Sequence, residues 1–159
     1  KWLERIIVLG PQDWPEAFYA SGMDLLYLRT FNEPVPSNSA NRVSEILVKS
    51  QIVSPVPRTR IAAGLHPIWG FAWAGRNTVQ SVQVSIDSGK SWHPAELQGS
   101  SNPFGWVRWR FSWEASRGEY ALVCRAQDSA GNWQPLARDP NRRDGYELNW
   151  CAPITCSVR

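Results

Sequence analysis

The sequence predicts an all-β fold: an immunoglobulin-like β-sandwich of about seven strands with a short irregular N-terminal extension. Three observations support this class. Apolar and polar residues alternate with period two in several separate segments. Gly and Pro turns separate those segments, and apolar residues at helical spacing are absent after residue 42. With 159 residues, 43% of them hydrophobic, the chain is long enough for one domain with a sizeable core.

The N-terminal part differs in composition from the rest of the chain. We predict that residues 1–30 are a stub, because their short apolar segment is broken at Gly10 and Pro11 and is too small to fold alone. Residues 31–41 are rich in Asn, Ser and Pro and are predicted to be a linker. The domain itself is therefore expected to span residues 42–159.

Five segments of the predicted domain carry the alternating pattern. Polar residues separate their apolar positions, as expected where one face of a sheet meets solvent or another protein. The predicted inward positions are Ile46 and Val48; Val82, Val84 and Ile86; Val107, Trp109, Phe111 and Trp113; Tyr120, Leu122, Cys124 and Ala126; and Ile154, Cys156 and Val158.

A turn sequence follows the second of these segments. Asp87 is expected to accept backbone N–H bonds, Gly89 to supply a positive φ angle, and Trp92 to pack over the resulting hairpin. Residues 85–92 also resemble the Asp-box of sialidases. A propeller would need several such hairpins, at about 40 to 50 residues per blade, and only one is present. A glycosidase would also need a suitably spaced carboxylate pair. We therefore assign this turn a structural role.

Ten tryptophans are far more than average. Trp106 is in phase with Arg108 and Arg110, and these three are predicted to point away from the core. Because Trp and Arg are enriched at binding hot spots, they form our candidate dimer interface.

An alternative use of these rings is stacking on sugars, in a carbohydrate-binding module. That use would need two or three coplanar exposed rings. Trp69 and Trp73 are the only other candidates, and core packing explains them equally well.

A cationic loop near the C-terminus is a second candidate site. Arg138, Arg142 and Arg143 lie close to Tyr146 and Trp150 in the sequence. Such a loop can clamp an anion or dock on an acidic neighbour. Equally, it can be a solvated loop whose arginines form salt bridges with the acidic residues among them.

No catalytic or metal-binding constellation is visible in the sequence. His66 and His93 each precede a proline, which is typical of strand edges and turns. The spacing of the three cysteines matches no zinc site. Buried reduced thiols are favoured over a bridge between Cys124 and Cys156.

Charge and hydropathy limit the classes of partner. The net charge is only +3 and no block of five like charges occurs, so nucleic-acid binding is not expected. No apolar run approaches the roughly 20 residues that span a bilayer, and the first residues lack the features of a signal peptide, so no membrane partner is expected.

An ordered series of segments, residues 85–92, 106–113, 118–128 and 129–135, resembles the C-terminal dimerisation domain of the sulfite-oxidase family of molybdenum-cofactor enzymes. Residues 1–6 look like the last strand of that family's molybdopterin-binding domain, and residues 43–158 look like its dimerisation domain. The resemblance implies a homodimer whose molybdopterin cofactor and catalytic residues lie in another domain of the same polypeptide. It implies no catalytic, cofactor-binding or metal-binding residue in this chain. The location of the protein stays unknown, and the resemblance is compatible with a periplasmic or other exported location.

The chain departs from the family pattern near its C-terminus. Sulfite oxidases that resemble this domain usually place an arginine after Trp-His there, reaching the substrate pocket, whereas residues 149–154 contain none. The resemblance therefore leaves Arg142 or Arg143, on the preceding loop, to approach the same cleft. Our first hypothesis is a dimerisation domain that borders this cleft, and the second is the carbohydrate-binding module.

Overall fold

The structure, a computed structural model, describes residues 5–6, 28–34, 43 and 46–159. The chain divides into two compact units. The first comprises Lys1–Ser44 and Asn141–Tyr146, and the second comprises Glu45–Pro140 and Glu147–Arg159. Most of the predicted stub and linker lies outside the described residues, so the predicted domain boundaries stay predictions.

The second unit is built from strands, which confirms the predicted all-β class. The described residues contain eight strands, where the sequence predicts about seven: β1 (Lys49–Ser54), β2 (Thr59–Ile61), β3 (Gly64–Trp73), β4 (Val79–Ser85), β5 (His93–Gln98), β6 (Val107–Ala115), β7 (Gly118–Asp128) and β8 (Ile154–Val158). Among the residues that the structure describes, no helix is long and apolar enough to cross a membrane.

The eight strands form one curled mixed sheet in the order β1-β3-β6-β5-β4-β7-β8-β2. The pair of β2 with β8 is parallel, and the other neighbouring pairs are antiparallel. The sheet curls until β1 contacts β7, so that the inner side chains of the two halves face one another. This arrangement confirms the predicted immunoglobulin-like sandwich.

The core contains nearly all of the predicted inward positions. Trp109, Ile68, Leu122 and Val84 are fully buried, and Phe111 packs against the core while partly exposed. The prediction was wrong at Ile46, which is 57% exposed and precedes the first strand. Strand β1 begins at Lys49, and its inward residues are Ser50 and Ile52. Because Ser50 is polar, the sequence does not show that this position is buried.

Gly70 allows β3 to pass close to its neighbours. A Cβ atom at this position would collide with the carbonyl oxygen of Gln51 on β1 and with the ring of Trp109 on β6. Only glycine leaves room for the largest buried side chain of the core to lie against the backbone of β3.

The side chain of Gln134 joins β1 to β7. Its Oε1 accepts hydrogen bonds from the backbone N–H groups of Ser50, at 2.7 Å, and Ala126, at 3.2 Å. Its Nε2 donates to the carbonyl oxygen of Ser50 at 3.2 Å. Gln134 is 2% exposed, so this amide takes the place of a peptide group where the sheet closes.

Candidate functional site

The predicted interface residues lie on the outer side of β3 and β6. Trp106 is 57% exposed, and Arg108 and Arg110 are also exposed, because each alternates with a buried residue of β6. Register pairs the outward Phe71 with Arg108 and the outward Trp69 with Arg110. We call the outward side chains of β3, β5 and β6, together with Trp106, the β3/β6 face.

Aromatic contacts organise this face. The guanidinium of Arg108 lies 4.5 Å from the centre of the Trp69 ring, which meets Phe71 edge-on at 6.1 Å. Trp73 and Trp106 lie 5.3 Å apart, with their planes inclined by 51°. The alternation of β3 places Ile68 and Ala72 inward, so Trp69 and Trp73 point to the outer side. These inclined rings do not form the coplanar platform that sugar stacking would need.

Glu96 of β5 belongs to the same face, and the sequence pattern does not identify it as a candidate interface residue. Register places it directly opposite Arg110. Its role depends on the pairing of β5 with β6, and no local signal in the sequence gives that register.

Arg125 organises the outer side of the other half of the sheet. Its Nε and Nη2 both donate to Oε1 of Gln83 on β4, at 2.9 and 2.7 Å. Its guanidinium lies between two indoles, 4.2 Å from the centre of Trp92 and 4.5 Å from that of Trp133. We call these four residues the β4/β7 face. The four side chains satisfy one another within the domain.

The Asp87 turn has the geometry that the sequence predicts. Oδ1 of Asp87 accepts the backbone N–H groups of Lys90 and Ser91, at 3.0 and 2.9 Å, and Oδ2 accepts the Ser91 hydroxyl at 2.6 Å. Gly89 has a φ angle of 88°. Hydrogen bonds from Ser91 hold the pKa of Asp87 well below its ordinary value. The carboxylate is occupied by the turn, which supports a structural role.

A second aspartate turn follows β7. Oδ1 of Asp128 accepts the backbone N–H groups of Ala130 and Asn132, and Oδ2 accepts the side-chain amides of Asn77 and Asn132. Burial alone would raise the pKa of Asp128, but the hydrogen bonds from Asn132 and Asn77 outweigh it and lower the pKa. This turn positions Trp133 and Gln134 after the bend.

The predicted cationic loop is divided between the two units. In the first unit, Arg142 forms an ion pair with Asp144 at 2.7 Å, and the backbone N–H of Thr30 also donates to that carboxylate at 2.8 Å. The hydrogen bond from Arg142 holds the pKa of Asp144 well below its ordinary value. Arg142 therefore fits the second of the two alternatives for this loop, in which its arginines form salt bridges with the acidic residues among them.

The remaining members of the predicted loop site are Arg143, Tyr146, Arg138 and Trp150. Arg143 and Tyr146 belong to the first unit and are exposed. Arg138 and Trp150 belong to the second unit, where the guanidinium lies 5.8 Å from the centre of the ring. A shared anion site of all five residues stays a prediction.

The three cysteines are free and buried, as predicted for reduced thiols. The residue of β7 that lies opposite Cys156 is Tyr120, and Tyr120 is four residues from Cys124. Four residues of a strand span about 13 Å, which is too far for a disulfide between Cys124 and Cys156.

Burial also disfavours the charged thiolate form of these cysteines. Burial raises the pKa of Cys124 to about 12 and that of Cys151 to about 11. Among the described residues, no three His, Cys, Asp or Glu side chains are grouped to hold a metal ion.

Comparison with known proteins identifies the family. Residues 40–143 match the model of the Mo-co oxidoreductase dimerisation domain. The chain is 31% identical over 161 residues to sulfite oxidase from Gallus gallus, covering 94% of this chain and 34% of that protein. It is 30% identical over 105 residues to nitrate reductase [NADH] from Chlorella vulgaris, covering 58% of this chain and 32% of that protein.

A solved structure agrees. The sulfane dehydrogenase SoxCD from Paracoccus pantotrophus superposes with a TM-score of 0.69 at 27% identity, covering 80% of this chain and 33% of that one. The chain spans about a third of the length of these relatives. It belongs to the Mo-co oxidoreductase dimerisation domain family and is a dimerisation domain of the sulfite-oxidase family of molybdenum-dependent oxidoreductases.

Proposed function

We propose that this domain is non-catalytic and joins two copies of its parent oxidoreductase into a homodimer through the β3/β6 face. The observation that carries the proposal is the exposure of Trp106, at 57%, beside Arg108 and Arg110 on one continuous sheet surface. Trp and Arg dominate interface hot spots because they combine large apolar area with directed polar contacts.

The composition of the rest of this face supports the same role. Leu65 is 70% exposed and Phe71 is 38% exposed, and both are outward residues of β3. A specific dimer buries about 800 Å² per partner, which an outer surface of three to four strands can supply. On the β4/β7 face, by contrast, the one exposed-side arginine, Arg125, is held by two hydrogen bonds to Gln83 as well as by two rings.

The molybdenum cofactor characterises this family. We propose that it is held outside this chain, in a molybdopterin-binding domain of the same polypeptide that also contacts the dimerisation domain. The lengths of the relatives support this arrangement, since this chain matches only about a third of each. The expected absence of nucleic-acid and membrane partners stays a prediction.

We also propose that the cationic loop borders the substrate cleft of the intact enzyme. Arg142 is engaged by Asp144, so Arg143 is the better candidate to approach an oxyanion. In the intact oxidoreductase, Arg143→Ala should raise KM several-fold, with Arg117→Ala on the turn between β6 and β7 as a control. Unchanged steady-state kinetics for Arg143→Ala would remove this part of the proposal.

The dimer is tested by the molar mass of the 159-residue chain, measured by size-exclusion chromatography with light scattering over a tenfold concentration range. We expect twice the 18.0 kDa of one chain, falling toward one chain on dilution. A mass of one chain at every concentration would contradict the proposal that this domain alone supports pairing.

A further inference from the structure

Arg110 and Glu96 form an unused pair of opposite charges on the β3/β6 face. They face each other directly in the register of β6 and β5, and both are exposed. Opposite charges at such positions ordinarily attract each other across the strands. Within the described part of the chain, however, neither of these two side chains forms an ion pair or a hydrogen bond.

The neighbouring arginine shows what a satisfied side chain on this face looks like. Arg108, two residues away on β6, stacks on Trp69 at 4.5 Å. Trp69 also lies directly across the strands from Arg110, so Arg110 stands between this aromatic surface on β3 and Glu96 on β5. Covering that surface with a partner would exclude water from the two charges and strengthen their attraction to groups on the partner.

We infer that, across the two-fold axis of the homodimer, Arg110 of each copy binds Glu96 of the other copy. This inference rests on the proposed dimerisation through the β3/β6 face. A two-fold axis repeats every contact, so the surface must be complementary to itself. Adjacent strands lie about 4.8 Å apart. A two-fold axis that lies in the interface, parallel to the strands and midway between β5 and β6, places Arg110 of one copy over Glu96 of the other.

The arrangement makes a specific prediction for charge reversal. Arg110→Glu places four acidic side chains around the axis, and Glu96→Arg places four basic ones there. Each variant alone should weaken the dimer by about a hundredfold. A mixed dimer of the two variants restores both attractive pairs. The two substituted side chains then meet each other as acid and base, and the native Arg110 of one copy meets the native Glu96 of the other.

The experiment measures the molar mass of wild-type chain, of each variant and of their equimolar mixture by light scattering, at a concentration where the wild type is dimeric. Arg117→Glu and Glu119→Arg are matched controls, since both residues are exposed, lie at or beside the turn between β6 and β7, and change the net charge equally. We expect monomers for each interface variant, a dimer for their mixture and dimers for both controls. Circular dichroism of each variant verifies the fold.

The outcomes separate the two proposals. A dimeric wild type whose variants also stay dimeric would overturn the reciprocal pair while leaving the dimerisation role intact. Monomeric variants whose mixture stays monomeric would likewise overturn the pairing of Arg110 with Glu96. A monomeric wild type would contradict pairing by this domain alone, and the reciprocal pair with it.

Discussion

The two outer faces of the sheet use the same residue types in opposite ways. On the β4/β7 face, Arg125 is held by Gln83 and enclosed by Trp92 and Trp133. On the β3/β6 face, Trp106 is exposed, and Arg110 stands opposite Glu96 without forming an ion pair among the described residues. Composition alone therefore does not mark an interface, because Arg125 and its two indoles contact one another on one side, whereas Trp106 and Arg110 stay exposed on the other.

The largest effect on stability is expected at Gln134, which follows Trp133 of the β4/β7 face and is buried where β1 meets β7. Gln134→Ala leaves the buried N–H groups of Ser50 and Ala126 without partners and should lower the free energy of unfolding by about 2–4 kcal/mol. Urea denaturation followed by tryptophan fluorescence measures this change. Gln127→Ala is the control, since its side chain makes one exposed hydrogen bond, to the carbonyl oxygen of Gly131. Equal losses for both variants would contradict this role of Gln134.

If the β3/β6 face serves association, Trp106→Ala should change the dimer and spare the fold. We expect the dissociation constant to rise about 30-fold, equivalent to about 2 kcal/mol, because Trp106 projects from the face as an exposed anchor. Sedimentation equilibrium measures the dissociation constant. The free energy of unfolding of the monomer should fall by less than about 1 kcal/mol, reflecting the lost contact with Trp73. A large loss of stability with unchanged association would reverse the comparison.

Arg125→Ala is the converse test on the β4/β7 face. It removes two hydrogen bonds to Gln83 and two cation–π contacts and should lower the free energy of unfolding by about 1–2 kcal/mol. The dissociation constant of the dimer should not change. Arg125→Lys keeps the charge without the planar fork and should recover only part of the loss. Weaker dimerisation in either variant would show that this face also takes part in pairing.

The smallest expected effect is the change in the free energy of unfolding when the pH is lowered from neutral. Because the folded-state pKa of Asp128 is lowered, its contribution to stability is complete above the ordinary carboxyl pKa of about 4 and is lost as the pH falls below it. Asp87 acts in the same direction. Urea midpoints measured from pH 7 to pH 3 should decline, and Asp128→Asn should flatten part of that decline. A decline of equal steepness in wild type and variant would exclude Asp128 as a contributor.

The parts of the fold that follow from local pattern were predictable. Apolar residues alternate along β6 and β8 and along part of β4 and β7, and the Asp87 turn has residues whose local chemistry fixes its geometry. Trp106, Arg108 and Arg110 were placed outward from the phase of β6 alone. These features depend on residues close together in the sequence.

The parts that depend on tertiary register were not predictable. Strand β3 places the small Gly70 and Ala72 inward and large rings outward, so its hydrophobic pattern does not indicate which side is buried. Gln134 resembles any polar loop residue until β1 is brought beside β7. Glu96 joins the candidate interface only through the pairing of β5 with β6.

The most direct test of pairing through the β3/β6 face compares the two faces in the same molecule. Hydroxyl-radical footprinting of the wild-type chain, at concentrations above and below the dimer dissociation constant, reports the solvent exposure of individual tryptophans. Trp106 and Trp133 are both accessible in the single chain, at 57% and 39%. We expect oxidation of Trp106 to fall several-fold in the dimer while that of Trp133 is unchanged. Protection of Trp133 without protection of Trp106 would contradict the assignment of pairing to the β3/β6 face.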